Sequence, residues 1–289
     1  MSDLAVRTTA IRRMVLLAVA VAVALVGCGA RPPVPALTVG TSADPEITLL
    51  AEIYAAGLRY YGTAVAVKTS DDPVAALDDV SVGVVPGFTG RLLERFAPDS
   101  AARSAAQVYR AMAGALPEGV AAGDYAVAAE DKAALAVSAA TATAWGSRDL
   151  TALVDRCSAV SIGAVVGTNR PSPVGNCTLP TPREFRNSAA MFDALRTGAV
   201  TAAWTGTAAP DVPDGVVVLV DSKPTLIPAQ NVVALYRRNE LTQMQLRAIN
   251  EIAGVLDTAA LVDMLRQVRA GTDPRSVAEA WLTANTLGR

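Results

Sequence analysis

The side chains able to do chemistry in this chain are few. Its only thiols are Cys28, Cys157 and Cys177, its only lysines are Lys68, Lys132 and Lys223, and it has no histidine. The missing imidazole removes the usual general base of serine and cysteine hydrolases and the commonest metal ligand. No acidic pair among the carboxylates has a spacing that compels catalysis, so an enzyme is the weakest of the functional classes considered. Two kinds of chemistry remain: covalent modification of cysteine, and noncovalent capture by aromatic faces, carboxylates and amides. A net charge of −2 leaves no basic footprint for nucleic acid.

The setting of Cys28 points to modification. Arg7, Arg12 and Arg13 form a positive head, and Met14 to Val26 is an unbroken apolar run. That run is shorter than the roughly 20 residues that span a bilayer. Leu25-Val26-Gly27-Cys28 then resembles the bacterial lipobox, whose Cys is diacylated and becomes the new N-terminus. Residues 1–28 therefore read as a lipoprotein signal peptide with its palmitate-bearing anchor at Cys28. The other reading is a plain signal peptide or membrane anchor with an incidental Cys. Residues 29–36, with three prolines, read as an extended tether. The Arg12-Arg13 pair leaves both general secretion and twin-arginine export open. Such a protein works at the extracytoplasmic face of the cell membrane, an oxidising setting in which Cys157 and Cys177 become candidates for a disulfide. Closing that loop would contribute roughly 3 kcal/mol by chain entropy. The alternative is two buried free thiols.

These groups need a scaffold, and the hydrophobic content of 52% supplies one. Short β-rich runs alternate with helical ones, which points to α/β. Leu37 to Gly40 reads as a first strand, and Asp44-Pro45 as a helix cap followed by Pro at the first position. Ile47, Leu50, Tyr54, Leu58 and Tyr61 recur at helical spacing, and Gly62 ends the helix. Further strands are expected at 64–68, 81–85, 134–138, 160–166, 200–205, 216–220 and 231–236. Helices are expected at 149–156, 185–197, 241–256, 258–270 and 274–285.

The order of motifs carries a family resemblance. LTVGTSADPEITLLAEIYAAGL, VGVVPGFTGRLLERF, DKAALAVSAATATAWGSRDLTAL, MFDALRTGAVTAAWTGT and a closing segment from Ile227 through LTQMQLRAINEIAGVLDTAALVDMLRQV to DPRSVAEAWL follow one another along the mature chain. This series resembles the substrate-binding proteins of ABC importers for glycine betaine, choline and related osmoprotectants, in the form of an actinobacterial lipoprotein. The resemblance implies a two-lobed, type II periplasmic-binding-protein-like α/β fold, each lobe a mixed sheet flanked by helices. It implies a discontinuous lobe 1 at 37–128 and 225–289, an inserted lobe 2 at 129–224, and a two-strand hinge. A small solute binds between the lobes, the lobes close, and the closed form docks on a permease served by its ATPase. No cofactor and no metal are implied.

Quaternary ammonium groups carry no N–H donor and are held by ring faces, at roughly 0.5 to 2 kcal/mol per ring. The family uses a cage of mostly Tyr rings, and aromatics are only 4% of this chain. Its Pro-Glu-Tyr-Thr-Gly is here Pro86-Gly87-Phe88-Thr89-Gly90. Tyr positions of the family fall on Ala133, on or near Gly206 with Trp204 close by, and on Gln230 beside Asn231. Two site readings follow. Phe88 and Trp204 form a reduced cage, with Asp131 supplying charge. Alternatively the cleft is rebuilt for another polar solute, held by Thr89, Arg91, Gln230 and Asn231. Arg170, in the loop from Gly167, could bind a carboxylate bidentately. The competing structural readings are core packing for the two rings, a solvated loop acid for Asp131, hinge backbone contacts for Gln230 and Asn231, and a surface role for Arg170. A different function is a non-transport envelope lipoprotein that keeps the fold with a degenerate cleft and acts as scaffold or regulator.

Overall fold

In the computed structural model, residues 36–168, 170–171 and 173–288 are described. Cys28 and the export signal lie outside them, as does the tether up to residue 35. The strands form two five-stranded sheets. One contains β1 (Leu37–Thr41), β2 (Val65–Thr69), β3 (Val84–Phe88) and β4 (Val120–Ala122). The other contains β5 (Ala133–Ser138), β6 (Ile162–Val165), β7 (Arg183–Phe185), β8 (Ala202–Gly206) and β9 (Val216–Val218). A last strand, β10 (Val232–Arg237), returns to the first sheet. The spatial orders are β2-β1-β3-β10-β4 and β7-β6-β8-β5-β9. Each sheet mixes parallel and antiparallel pairs.

The central strands of both sheets are buried on both faces, which explains their continuous apolar runs. The helix Pro45–Tyr60 and the three C-terminal helices, Gln243–Val255, Thr258–Arg269 and Pro274–Ala284, cover one face of the first sheet through Leu50, Ile53, Ile252 and Leu282. Helices Pro73–Asp78, Thr89–Phe96 and Ala105–Ala115 cover the other. In the second sheet Leu135 and Val137 face one core while Ala136 faces the opposite one, the period of two that a strand imposes.

Local chemistry sets the ends of these elements. Asp44 accepts a hydrogen bond from the Glu46 N–H at 2.8 Å, with Pro45 behind it. Asp257 and Asp273 cap the last two helices in the same manner. Three expected elements need correction. The strand expected at 81–85 lies at Val84–Phe88, because Val80 turns the chain at φ 69° and delays it. Pro86, which has no N–H to give, is tolerated there because β1 pairs with β3 only at Val39↔Val84. The helix expected at 149–156 shrinks to Thr151–Val154, since Asp149 is bridged to Val220. In the segment expected as helix 185–197, Phe185 belongs to β7, and the helix starts at Ser188 under an Asn187 cap.

Cys157 and Cys177 are joined in a disulfide. Two stretches of chain pass between the sheets, one leading into β5 and the other into β10, and they meet in an antiparallel bridge at Glu130 and Asn231. Among the described residues, no helix is long and apolar enough to cross a membrane.

Candidate functional site

The site is built where β3 ends and the second crossing stretch lies against it. Phe88 ends β3, and a helix begins at once with Thr89. The Thr89 N–H donates to the Asn231 carbonyl at 2.9 Å, and the Asn231 N–H donates to Thr89 Oγ1 at 3.1 Å. Gln230 Oε1 accepts the Arg91 N–H at 2.9 Å, satisfying one of the free donors at the start of that helix. A Cβ on Gly90 would lie 2.6 Å from the Ala229 carbonyl oxygen, so only glycine fits so close an approach. The buried Asn231 amide donates to the carbonyl of Ala126 at 3.0 Å and faces those of Val127 and Ala129. Its Oδ1 is buried without a partner. Thr89, Gln230 and Asn231 thus stitch the crossing to the first sheet.

Beside this seam stands a charged cluster. The Arg91 guanidinium lies over the Phe88 ring, 4.5 Å from its centroid. Arg91 Nη2 is 3.5 Å from Glu46 Oε2 and 3.7 Å from Asp131 Oδ2. Glu46 comes from the first turn of Pro45–Tyr60, and Asp131 from the first crossing stretch. Asp131 Oδ1 accepts the Ala208 N–H at 2.9 Å, just past the end of β8. Carboxyl groups from two separated segments and one ring from its own segment therefore surround a single cation.

Burial, reinforced by the charge of Asp131, pushes the Glu46 carboxyl up to about 8 even though Arg91 opposes the shift. Near neutral pH Glu46 thus keeps its proton. Its Oε1 is buried with no partner. An acid whose pKa is raised on folding stabilises the fold fully below its ordinary value, and that stability is lost as pH rises through the folded value. Wild-type stability relative to Glu46→Gln should therefore fall between about pH 4.5 and 8 and level off above, by on the order of a few kcal/mol. Thermal melts of the two proteins across that range check it; parallel curves would mean that Glu46 titrates normally.

A second cluster locks the crossing. Lys132 Nζ is 3.2 Å from Asp221 Oδ2 and 3.8 Å from Glu130 Oε1, with the Lys132 side chain only 8% exposed. Asp221 also accepts the N–H groups of Leu226 and Ile227. Burial raises Glu130, and Lys132 pulls it back.

Other expected residues lie elsewhere. Trp204 is buried in the core of the second sheet, in register with Leu135, whereas Phe88 belongs to the core of the first. The two rings thus sit in separate cores. Arg170 pairs at the surface with Glu184 at 3.4 Å. Ala133 and Gly206 are direct cross-strand partners, so two places expected to hold rings are vacant side by side. A Cβ on Gly206 would collide with Asp131 Oδ1, which lies over it. The sequence reading missed Glu46, Lys132 and Asp221. Lys132 alone carried a signal, because lysine is so rare in this chain. Two surface hollows, of about 480 and 360 Å³, are lined by residues 68–81 and 255–285 and involve none of these groups.

Comparisons with known proteins agree with this architecture. Residues 181–284 match the family model described as the substrate-binding domain of ABC-type glycine betaine transport systems. No curated protein matches the chain. Among solved structures, apo YehZ from Escherichia coli shares 20% identity at a TM-score of 0.68, covering 88% of this chain and 99% of its own. A glycine betaine/carnitine/choline ABC transporter structure shares 14% at a TM-score of 0.72, covering 86% and 98%. A choline-binding ABC-transporter protein in complex with choline shares 18% at 0.54, covering 86% and 88%. At such identities the likeness is one of fold: two mixed sheets with flanking helices, of the type II periplasmic-binding-protein kind.

Proposed function

We propose that this chain is the extracytoplasmic solute-capturing protein of an ABC importer and that its solute is a small molecule with a cationic head group. The observation that carries this reading is the convergence of the Phe88 ring with Glu46 and Asp131 around one cation position. A ring face suits a quaternary ammonium group, and an adjacent carboxylate suits any cation. The family-model match favours glycine betaine, choline or a related osmoprotectant. In this reading lobe 1 is residues 37–128 with 225–289, lobe 2 is 129–224, and the bridged crossing at Glu130 and Asn231 is the hinge. Capture involves no bond making. A lipid on Cys28 holds the protein at the membrane, beside the permease and ATPase that receive the solute.

A second reading, the non-transport envelope lipoprotein with a degenerate cleft, is favoured by one observation: the cation position is already filled by the chain's own Arg91. Thermal denaturation against glycine betaine, choline, carnitine, proline betaine, amino acids and small sugars separates the two. A captured solute at 100 times its Kd adds about 2.7 kcal/mol, which is several degrees in Tm for a chain of this size. No shift with any of them would sink the capture reading and leave the second.

A further inference from the structure

We propose that Arg91 is a built-in occupant of the cation position, a tethered competitor that an incoming solute must displace. This rests on the capture reading above. The guanidinium makes the contacts a bound cation would make: it lies 4.5 Å from the Phe88 centroid and is shared between Glu46 and Asp131. Phe88 itself is only 1% exposed, so little of its ring is open while Arg91 stays in place. The Arg91 side chain is nevertheless 44% exposed, which leaves it a path outward. Its backbone is fixed, because its N–H is held by Gln230 and the preceding Gly90 is wedged against Ala229. The side chain can therefore leave while the helix start remains. Once it has left, it is a long, charged group at the mouth of the site, at no great desolvation cost.

The charges also balance. Glu46 keeps its proton near neutrality, so Arg91 and Asp131 form one neutral pair. A cationic head group that replaces the guanidinium takes over its pairing with Asp131; a solute without one leaves Asp131 without a partner. The site therefore selects solutes with a cationic head group, and the competitor lowers their apparent affinity. One part-exposed ion pair and a single ring contact are individually modest, so the expected penalty is about tenfold in Kd, equivalent to about 1.4 kcal/mol.

Titration calorimetry with choline tests this on the whole protein. Arg91→Ala and Arg91→Gln should both bind choline about tenfold tighter than the wild type, and Arg91→Lys should fall between. Glucose, a neutral solute, should gain nothing. Two variants are used so that one melting early does not decide the matter. Equal choline affinity in wild type and variants would overturn the occupant role and leave capture standing. Weaker binding by the variants would make Arg91 a ligand contact and also overturn it. Binding by none of the proteins would overturn the capture of such cations and this inference with it.

Discussion

Asp221→Ala should cost the fold about 3–5 kcal/mol, the range found when one partner of a buried ion pair is removed. Lys132 has little chance to reach water, since its side chain is 8% exposed and that of Asp221 only 4%. The carboxylate also accepts from two backbone N–H groups, those of Leu226 and Ile227, and both would lose an acceptor. Lys132→Met with Asp221→Asn should recover most of the loss. The apolar side chain removes the stranded charge, and Asn keeps an oxygen for the backbone. Urea denaturation measures both, as a shift in midpoint at constant slope. A loss under about 1 kcal/mol for Asp221→Ala would mean that Lys132 swings to solvent. The pair matters beyond stability because it clamps the segment that enters β5 to the one that leaves β9, beside the bridge at Glu130 and Asn231.

What was legible in the sequence was local. Asp44-Pro45 and Asp273-Pro274 announced their helices because a cap and its Pro lie within a few residues of each other. The three C-terminal helices were legible from periodicity. The Ala-rich helices at 105–115 and 139–145 were not, because alanine fits either face and mutes the pattern. β3 was set a few residues early because Val82 is as apolar as Val84, and only the turn at Val80 distinguishes them. The site divides the same way. The resemblance led to Phe88, Thr89, Asp131, Gln230 and Asn231, and the fold does bring these together. It could not show that Thr89, Gln230 and Asn231 spend their hydrogen bonds on the backbone. Trp204 was drawn into the cage by nearness in sequence to Gly206, yet in a strand residues two apart face the same side, and that side at Trp204 is core. Glu46 resembled an ordinary acid at a helix start. Only the meeting of three distant segments makes it part of a proton-holding pair with Asp131.

Asp131→Asn should lower the affinity for a cationic solute about 10- to 100-fold, the worth of one charge-assisted contact, with little change in Tm. The asparagine oxygen can still accept from the Ala208 N–H, so the crossing keeps its shape. Phe88→Leu should lose less, because a single ring contributes only about 0.5–2 kcal/mol. The loss at Asp131 should also depend on pH. Asp131 is one of the two main causes holding Glu46 protonated, so its neutralisation brings Glu46 back toward its ordinary value. Burial, the larger cause, remains, and Glu46 therefore regains its charge only on the alkaline side. There a Glu46 carboxylate stands in for the missing one. The affinity deficit of Asp131→Asn should accordingly be greatest near pH 6 and shrink near pH 8, and Glu46→Gln with Asp131→Asn should remove that recovery. Calorimetry with choline at the two pH values measures it. Wild-type affinity in Asp131→Asn at both would remove Asp131 from the site. A deficit that does not change with pH would mean that Glu46 and Asp131 act on the solute independently.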